Sequence, residues 1–180
     1  MEINYIVKNI NNKSVDYILN NELNISSRLR QKLINNSLIK LNGNICDTRH
    51  ILNIGDVLLI SFDYDEDNSN IIPCKMNLDV LYEDEWLLII NKPAGLAIHP
   101  SILHYEDSLA NGIKYYYDKI GLKKKIRPVN RLDLNTSGIV IFAKCEYIQE
   151  CLARQMYTNT FKKEYLALVN GKLDVKTRYH

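Results

Sequence analysis

No apolar run in this chain is long. The most hydrophobic stretches, VLLI at 57–60 and WLLII at 86–90, have the length of strands and fall far short of a helix that crosses a bilayer. The amino terminus, MEINYIVKNINNK, lacks the continuous apolar segment of a secretory leader. Both absences predict an intracellular, cytoplasmic protein with no membrane partner. Four cysteines, at 46, 74, 145 and 151, show no CxxC spacing and no pairing pattern, so reduced thiols are expected. Internal repeats and low-complexity tracts are missing too. So is a G-x-S-x-G elbow, which leaves a hydrolase built from Ser101 or Ser137, His99 and Asp133 without support.

What is present is an ordinary globular composition, 46% hydrophobic and 24% charged over 180 residues, enough for one good core or two small domains. Net charge is only +2, but it is unevenly spread. Residues 1–75 carry 8 Lys and Arg against 9 Asp and Glu, whereas residues 76–180 carry 15 against 12. Asp63, Asp65, Glu66 and Asp67 cluster in FDYDEDNSN. The longer stretch SFDYDEDNSNIIPCKMN, acidic and proline-containing, lacks periodicity and reads as a linker over 63–78, between a module at 1–62 and another at 79–180.

In the first module KSVDYILNNE predicts a short helix capped by Ser14, with Val15, Ile18 and Leu19 on one face. NISSRLRQKLINN predicts a second, capped by Ser26 or Ser27, burying Ile25, Leu29 and Leu33 and exposing Arg28 and Lys32. SLIKLNGNIC reads as two strands about an Asn-Gly turn, and NIGDVLLISF as a strand entered through Gly55-Asp56. The second module is mixed α/β. LDVLYED and WLLIINKP are consecutive strands, SLANGIKYYYDKIG is a helix and IVIFAK a fully buried strand. EYIQECLARQMYTN is a helix with an apolar stripe of Ile148, Leu152 and Met156, and KKEYLALVNGK is a last strand. The fold class is thus α+β: a small αα-plus-β-hairpin module followed by a mixed α/β one.

The chemistry concentrates in RPVNRLDLNTSGIVIFAK, residues 127–144. A polar loop carries Arg131, Asp133, Thr136, Ser137 and Gly138 and passes directly into an apolar strand. Two readings of Asp133 are open. It ties down a turn through backbone amides, or it is a reactive carboxylate held on a rigid element beside a cation. Just upstream, KIGLKKKIR holds Lys119, Lys123, Lys124, Lys125 and Arg127 with no intervening acid, either a phosphate-facing patch or a solvated loop. Tyr115, Tyr116 and Tyr117 could stack on bases or form a helix with one ring buried.

RPVNRLDLNTSGIVIFAK is similar to the signature of the RluA/RluD-type pseudouridine synthases, in which His-Arg-Leu-Asp and two variable residues precede Thr-Ser-Gly. INKPAGLAIHPS, residues 90–101, resembles that family's first motif, and KKEYLALVNGK, residues 162–172, its tyrosine-bearing strand. The first module, through SSRLRQKLI, IKLNGNICD and IGDVLLI, resembles the small RNA-binding domain named after ribosomal protein S-four. These resemblances imply isomerisation of uridine to pseudouridine in RNA, ribosomal RNA before transfer RNA, with no cofactor and no metal. They imply Asp133 as the essential aspartate, Tyr165 as the tyrosine that packs on the base, and Arg131 as the residue that opens the RNA. They also imply Arg28, Arg30, Lys32 and Lys40 near RNA phosphates, and the charge and position of Lys123, Lys124, Lys125 and Arg127, just before the signature loop, make them candidates for the same backbone. His99 and His104 lack evident ligand partners, and packing is expected for His99.

Two departures stand out. Asn130 replaces the usual histidine before Arg131, keeping a donor and an acceptor but no titratable ring. The family's later basic motif, whose arginine pairs with the aspartate, has no match after Gly171, and Arg178 in VKTRYH is no substitute. The catalytic module is therefore expected to be truncated, and a catalytically inactive RNA-binding protein is the alternative reading.

Overall fold

A computed structural model of the chain describes residues 1–9 and 12–171. In the first module, Ser14 caps a helical turn at Val15–Tyr17 (α1) by accepting a hydrogen bond from the Tyr17 amide. The helix then widens into a π turn at Ile18–Glu22, closed by the Leu23 amide on the Ile18 carbonyl (3.0 Å). Ser26, rather than Ser27, caps the second helix, Ser27–Asn35 (α2). The expected faces are buried: Val15, Ile18 and Leu19 from the first helix, and Ile25, Leu29 and Leu33 about the second.

These helices cover a four-stranded antiparallel sheet, ordered β1-β4-β2-β3. The strands are Glu2–Ile6 (β1), Ile39–Leu41 (β2), Asn44–Ile45 (β3) and Val57–Ser61 (β4). Asn42 and Gly43, at φ +50° and +85°, make the turn between β2 and β3, as an Asn-Gly pair in a tight hairpin should. Strand β1 was not anticipated. Its Glu-Ile-Asn-Tyr-Ile alternation has the period of a strand, and it pairs with β4 along its whole length.

The second sheet, ordered β5-β6-β8-β7, is also antiparallel. It comprises Val80–Glu83 (β5), Leu87–Lys92 (β6), Arg127–Pro128 (β7) and Gly138–Ala143 (β8), with helices Leu109–Lys119 (α3) and Glu146–Gln155 (α4). Helix α3 buries Leu109, Ile113 and Tyr117 against Leu88, Ile90, Val140 and Phe142. Of the three tyrosines, Tyr117 is buried, Tyr116 donates to Glu83 (2.6 Å) and Tyr115 faces outward.

Three expectations require correction. Strand β8 is not fully buried: Ile139 is exposed, because this strand alternates between a covered face and an open one. In α4 the Ile148, Leu152 and Met156 stripe is only half-buried. Residues 162–171 form no strand: Tyr165, Leu166 and Leu168 are exposed and no ladder partner is present among the described residues. A β-favouring sequence cannot make a strand without a neighbour to satisfy its amides. Lys172 and the VKTRYH stretch with Arg178 lie outside the described residues.

The stretch between the modules has no regular structure but is firmly engaged. Glu66 reaches a side-chain exposure of 3% by forking onto Arg127 (2.5 and 2.7 Å), with Lys32 at 3.3 Å. Glu146 of α4 lies 3.1 Å from Lys32 and accepts from the Tyr64 hydroxyl (3.0 Å). Glu150, one turn on, accepts from the Ser26 hydroxyl (2.5 Å) and amide (3.3 Å) at the start of α2, where the helix dipole favours an anion. Phe62 stacks on Tyr147 (5.1 Å between centroids) and meets Trp86 edge-on. The first core thereby extends onto the second module.

Candidate active site

The signature loop is fastened at both ends. At its start, Asn130 acts as a side-chain peptide: its Nδ2 donates to the Ile139 carbonyl (2.9 Å) and its Oδ1 accepts from the Ile141 amide (2.9 Å). This prolongs the β7–β8 ladder past the Val129 amide, which donates to Ile141 (2.7 Å). Asparagine suits the place because one planar group supplies a donor and an acceptor together. The departure from histidine thus leaves the support of the loop in place.

At its other end the loop is held by Lys92. Strand β6 points Leu88, Ile90 and Lys92 to the same buried face, so an ammonium stands where alternation calls for an apolar residue. Its Nζ donates to the carbonyls of Pro93 (2.9 Å), Leu96 (2.8 Å) and Leu134 (3.1 Å). The Gly95 amide also donates to Leu134 (2.8 Å), on a backbone at φ +79° that glycine adopts without strain. The INKPAG and RLDLNTSG segments are therefore knotted about one buried cation. Burial lowers the Lys92 pKa, while the negative charge of Asp133 opposes that shift.

Between the two fastenings, Arg131 and Asp133 are displayed outward. The Asp133 carbonyl accepts from the Thr136 amide (3.1 Å), closing a turn over Leu134 and Asn135. Burial, with the charge of Arg131 adding to it, pushes the His99 pKa below its ordinary value. Beside the loop lies an open cleft of about 910 Å³, lined by Leu132, Asn135, Thr136 and Ser137, by the exposed face of β8, and by Phe161 and Tyr165. The structure brings Tyr165 to the loop that carries Asp133, although neither Asp133 nor Arg131 is part of the cleft wall.

The basic residues divide sharply. Lys124 is buried and donates to the carbonyls of Phe62 (2.8 Å) and Tyr64 (2.6 Å), and Arg127 is buried on Glu66. Lys123 pairs with Asp65 (2.9 Å) and Lys32 with Glu66 and Glu146. One guanidinium nitrogen of Arg30 lies 3.2 Å from Asp16 without hydrogen-bond alignment. Arg28, Lys40, Lys119 and Lys125 remain exposed. The acidic stretch thus draws Arg127 inward onto Glu66 and pairs Lys123 at the surface with Asp65, pairings that neither segment reveals alone. No cluster of His, Cys, Asp or Glu suited to a metal occurs among the described residues.

Known proteins resemble the chain over most of its length. Among relatives, an uncharacterized RNA pseudouridine synthase of Bacillus subtilis, YhcT, is 38% identical over 159 residues, covering 88% of this chain and 52% of its own. A second from the same organism, YjbO, is 33% identical over 84% of this chain and 54% of its own. Ribosomal large subunit pseudouridine synthase D of Neisseria meningitidis is 34% identical over 65% of this chain and 31% of its own. The chain spans about half the length of the first two. Residues 86–179, just over half of the sequence, match the profile described as RNA pseudouridylate synthase, and the chain belongs to that family.

Proposed function

We propose that the protein isomerises uridine to pseudouridine in RNA, ribosomal RNA first, and does so in the cytoplasm. Asp133 is the reacting carboxylate. The bond from the ribose C1′ to uracil N1 breaks, the base turns within the site, C1′ joins C5, C5 gives up its proton and N1 takes one up. No bond is hydrolysed and no electron is gained or lost overall. The observation that carries this reading is the double fastening of the loop by Asn130 and Lys92, which leaves Asp133 exposed on a loop whose Leu132 and Asn135 line a cleft together with Tyr165.

Each remaining role follows from chemistry. A stacked uridine hides its glycosidic bond, so it must be flipped out at the expense of a few kcal/mol. The Tyr165 ring can stack on the extruded base and offset part of that expense. Arg131, exposed beside Asp133, opens the RNA and takes up the vacated space. The first module, with its S-four-like order of helices and hairpin, grips RNA through Arg28 and Lys40, with Lys125 and Lys119 contributing from the second. Phosphate contacts of this kind position the substrate without reading its sequence.

Incubation with unmodified ribosomal RNA carrying tritium at C5 of uridine tests the assignment. Release of tritium to water is expected. RNA binding without release would support the other reading, an RNA-binding protein without catalysis.

A further inference from the structure

The connection between β6 and α3 holds an unusual loop. Its neck is closed where the Leu109 and Ala110 amides donate to the carbonyls of Ala97 (2.8 Å) and Ile98 (3.0 Å). Inside it, Ser101 and His104 exchange backbone hydrogen bonds (3.2 and 3.1 Å), forming a tight turn whose tip is Ile102 and Leu103. These side chains are 100% and 87% exposed, with Tyr105 at 58% beside them. Turn tips ordinarily carry glycine, asparagine or aspartate. Two branched aliphatic side chains placed there gain nothing from the fold.

The tip is also held away from the body of the protein. His104 Nδ1 lies 3.2 and 3.3 Å from the two Asp107 oxygens. Buried Asn111 donates through Nδ2 to the Tyr105 carbonyl (3.1 Å) and to Ile72 (2.8 Å), anchoring the far arm. At the near arm, Leu96 is a partner of Lys92, and His99 feels the charge of Arg131. The loop thus springs from the same knot that displays Asp133.

We propose that Ile102 and Leu103 form a wedge that enters the RNA stack beside the target uridine and holds open the step it leaves. The inference rests on the pseudouridine synthase reading and deepens it, by adding side chains that drive extrusion rather than chemistry. Two aliphatic side chains bury too little area for a stable protein dimer and too little for lasting attachment to lipid. Prying apart a base step needs no more than this, and apolar wedges are the usual means.

The test uses the intact chain and two RNA hairpins, each with 2-aminopurine next to one central uridine. In one hairpin that uridine is paired, and in the other it is bulged. The chain should bind both and raise 2-aminopurine fluorescence in the paired one. Ile102→Ser with Leu103→Ser should abolish that rise and weaken binding to the paired hairpin by about tenfold. Binding to the bulged hairpin should change less than about twofold, since its step is already open. Ile102→Leu with Leu103→Met should restore both signals. Unchanged circular dichroism and melting would establish that the variants fold. A serine variant that matches the parent on both hairpins overturns the wedge while leaving the enzyme reading intact. A parent chain that binds neither hairpin overturns both. Loss of self-association in the serine variant, with RNA binding unchanged, would make the tip a protein contact and also overturn the wedge.

Discussion

Asn130 and Lys92 show how single side chains make a loop into a platform. Replacing Asn130 by alanine leaves the Ile139 carbonyl and the Ile141 amide without partners, which should cost about 1–3 kcal/mol. Chemical denaturation measures this as a lowered midpoint at constant slope. Lys92→Met keeps the volume but removes three hydrogen bonds to carbonyls on both motifs, so turnover should fall more than RNA affinity does. Equal losses in the two quantities would mean that Lys92 serves only the fold. The sequence made Asp133, Arg131 and Asn130 conspicuous through one local motif. Lys92 went unnoticed, although its position two residues after Ile90 on the buried face was a usable signal. One of its three partners, the Leu134 carbonyl, is forty-two residues away, and that pairing exists only in the folded chain.

The elements extend this argument to the seam between α2, α4 and the acidic stretch. Helices α1 to α4 and most strands were readable from period and caps, because each depends on neighbours in sequence. The buried network of Glu66, Arg127, Lys32 and Glu146 was not, since each partner alone looks like a solvated charge. Burial opposes the ionised form of Glu66, yet Arg127, the Lys125 amide and Lys32 outweigh it and hold its pKa below the ordinary carboxylate value. Glu146 is lowered likewise, with Lys32 and the Tyr64 hydroxyl overcoming burial. A depressed folded pKa gives stability that is complete above the unfolded value of about 4.3 and is lost as pH falls through the folded value. Melting temperature should therefore drop below about pH 4.3, and Glu66→Gln should flatten that acid limb. Near neutral pH the same variant weakens the fork on buried Arg127, which keeps Glu146 at 3.5 Å, and should lose about 1–3 kcal/mol. An unaltered acid limb in Glu66→Gln would remove this residue from the account.

The whole molecule joins two modules through α4, whose Glu150 and Glu146 bond to Ser26 and Lys32 of the first. Their division of basic residues predicts a division of effects. Arg28→Ala with Lys40→Ala should weaken binding to RNA uniformly across sequences and reduce the salt slope by about one per residue. A salt series that leaves slope and affinity unchanged would move the RNA to another face. Lys124 and Arg127, being internal, should act through stability, so melting rather than the salt slope should report their loss. Composition could not have separated these classes, because the net charge of +2 hides a neutralisation that occurs across the seam. Likewise the KKEYLALVNGK pattern reads as a strand, yet residues 162–171 pair with no sheet edge among the described residues.

The most direct measurement compares the parent chain with Asp133→Asn for tritium release from C5-labelled uridine in unmodified ribosomal RNA, with RNA affinity determined in parallel. The account predicts that release falls by on the order of a thousandfold or more while affinity stays within about twofold, as expected when a reacting group is removed from an otherwise intact site. Undiminished release by Asp133→Asn would contradict it.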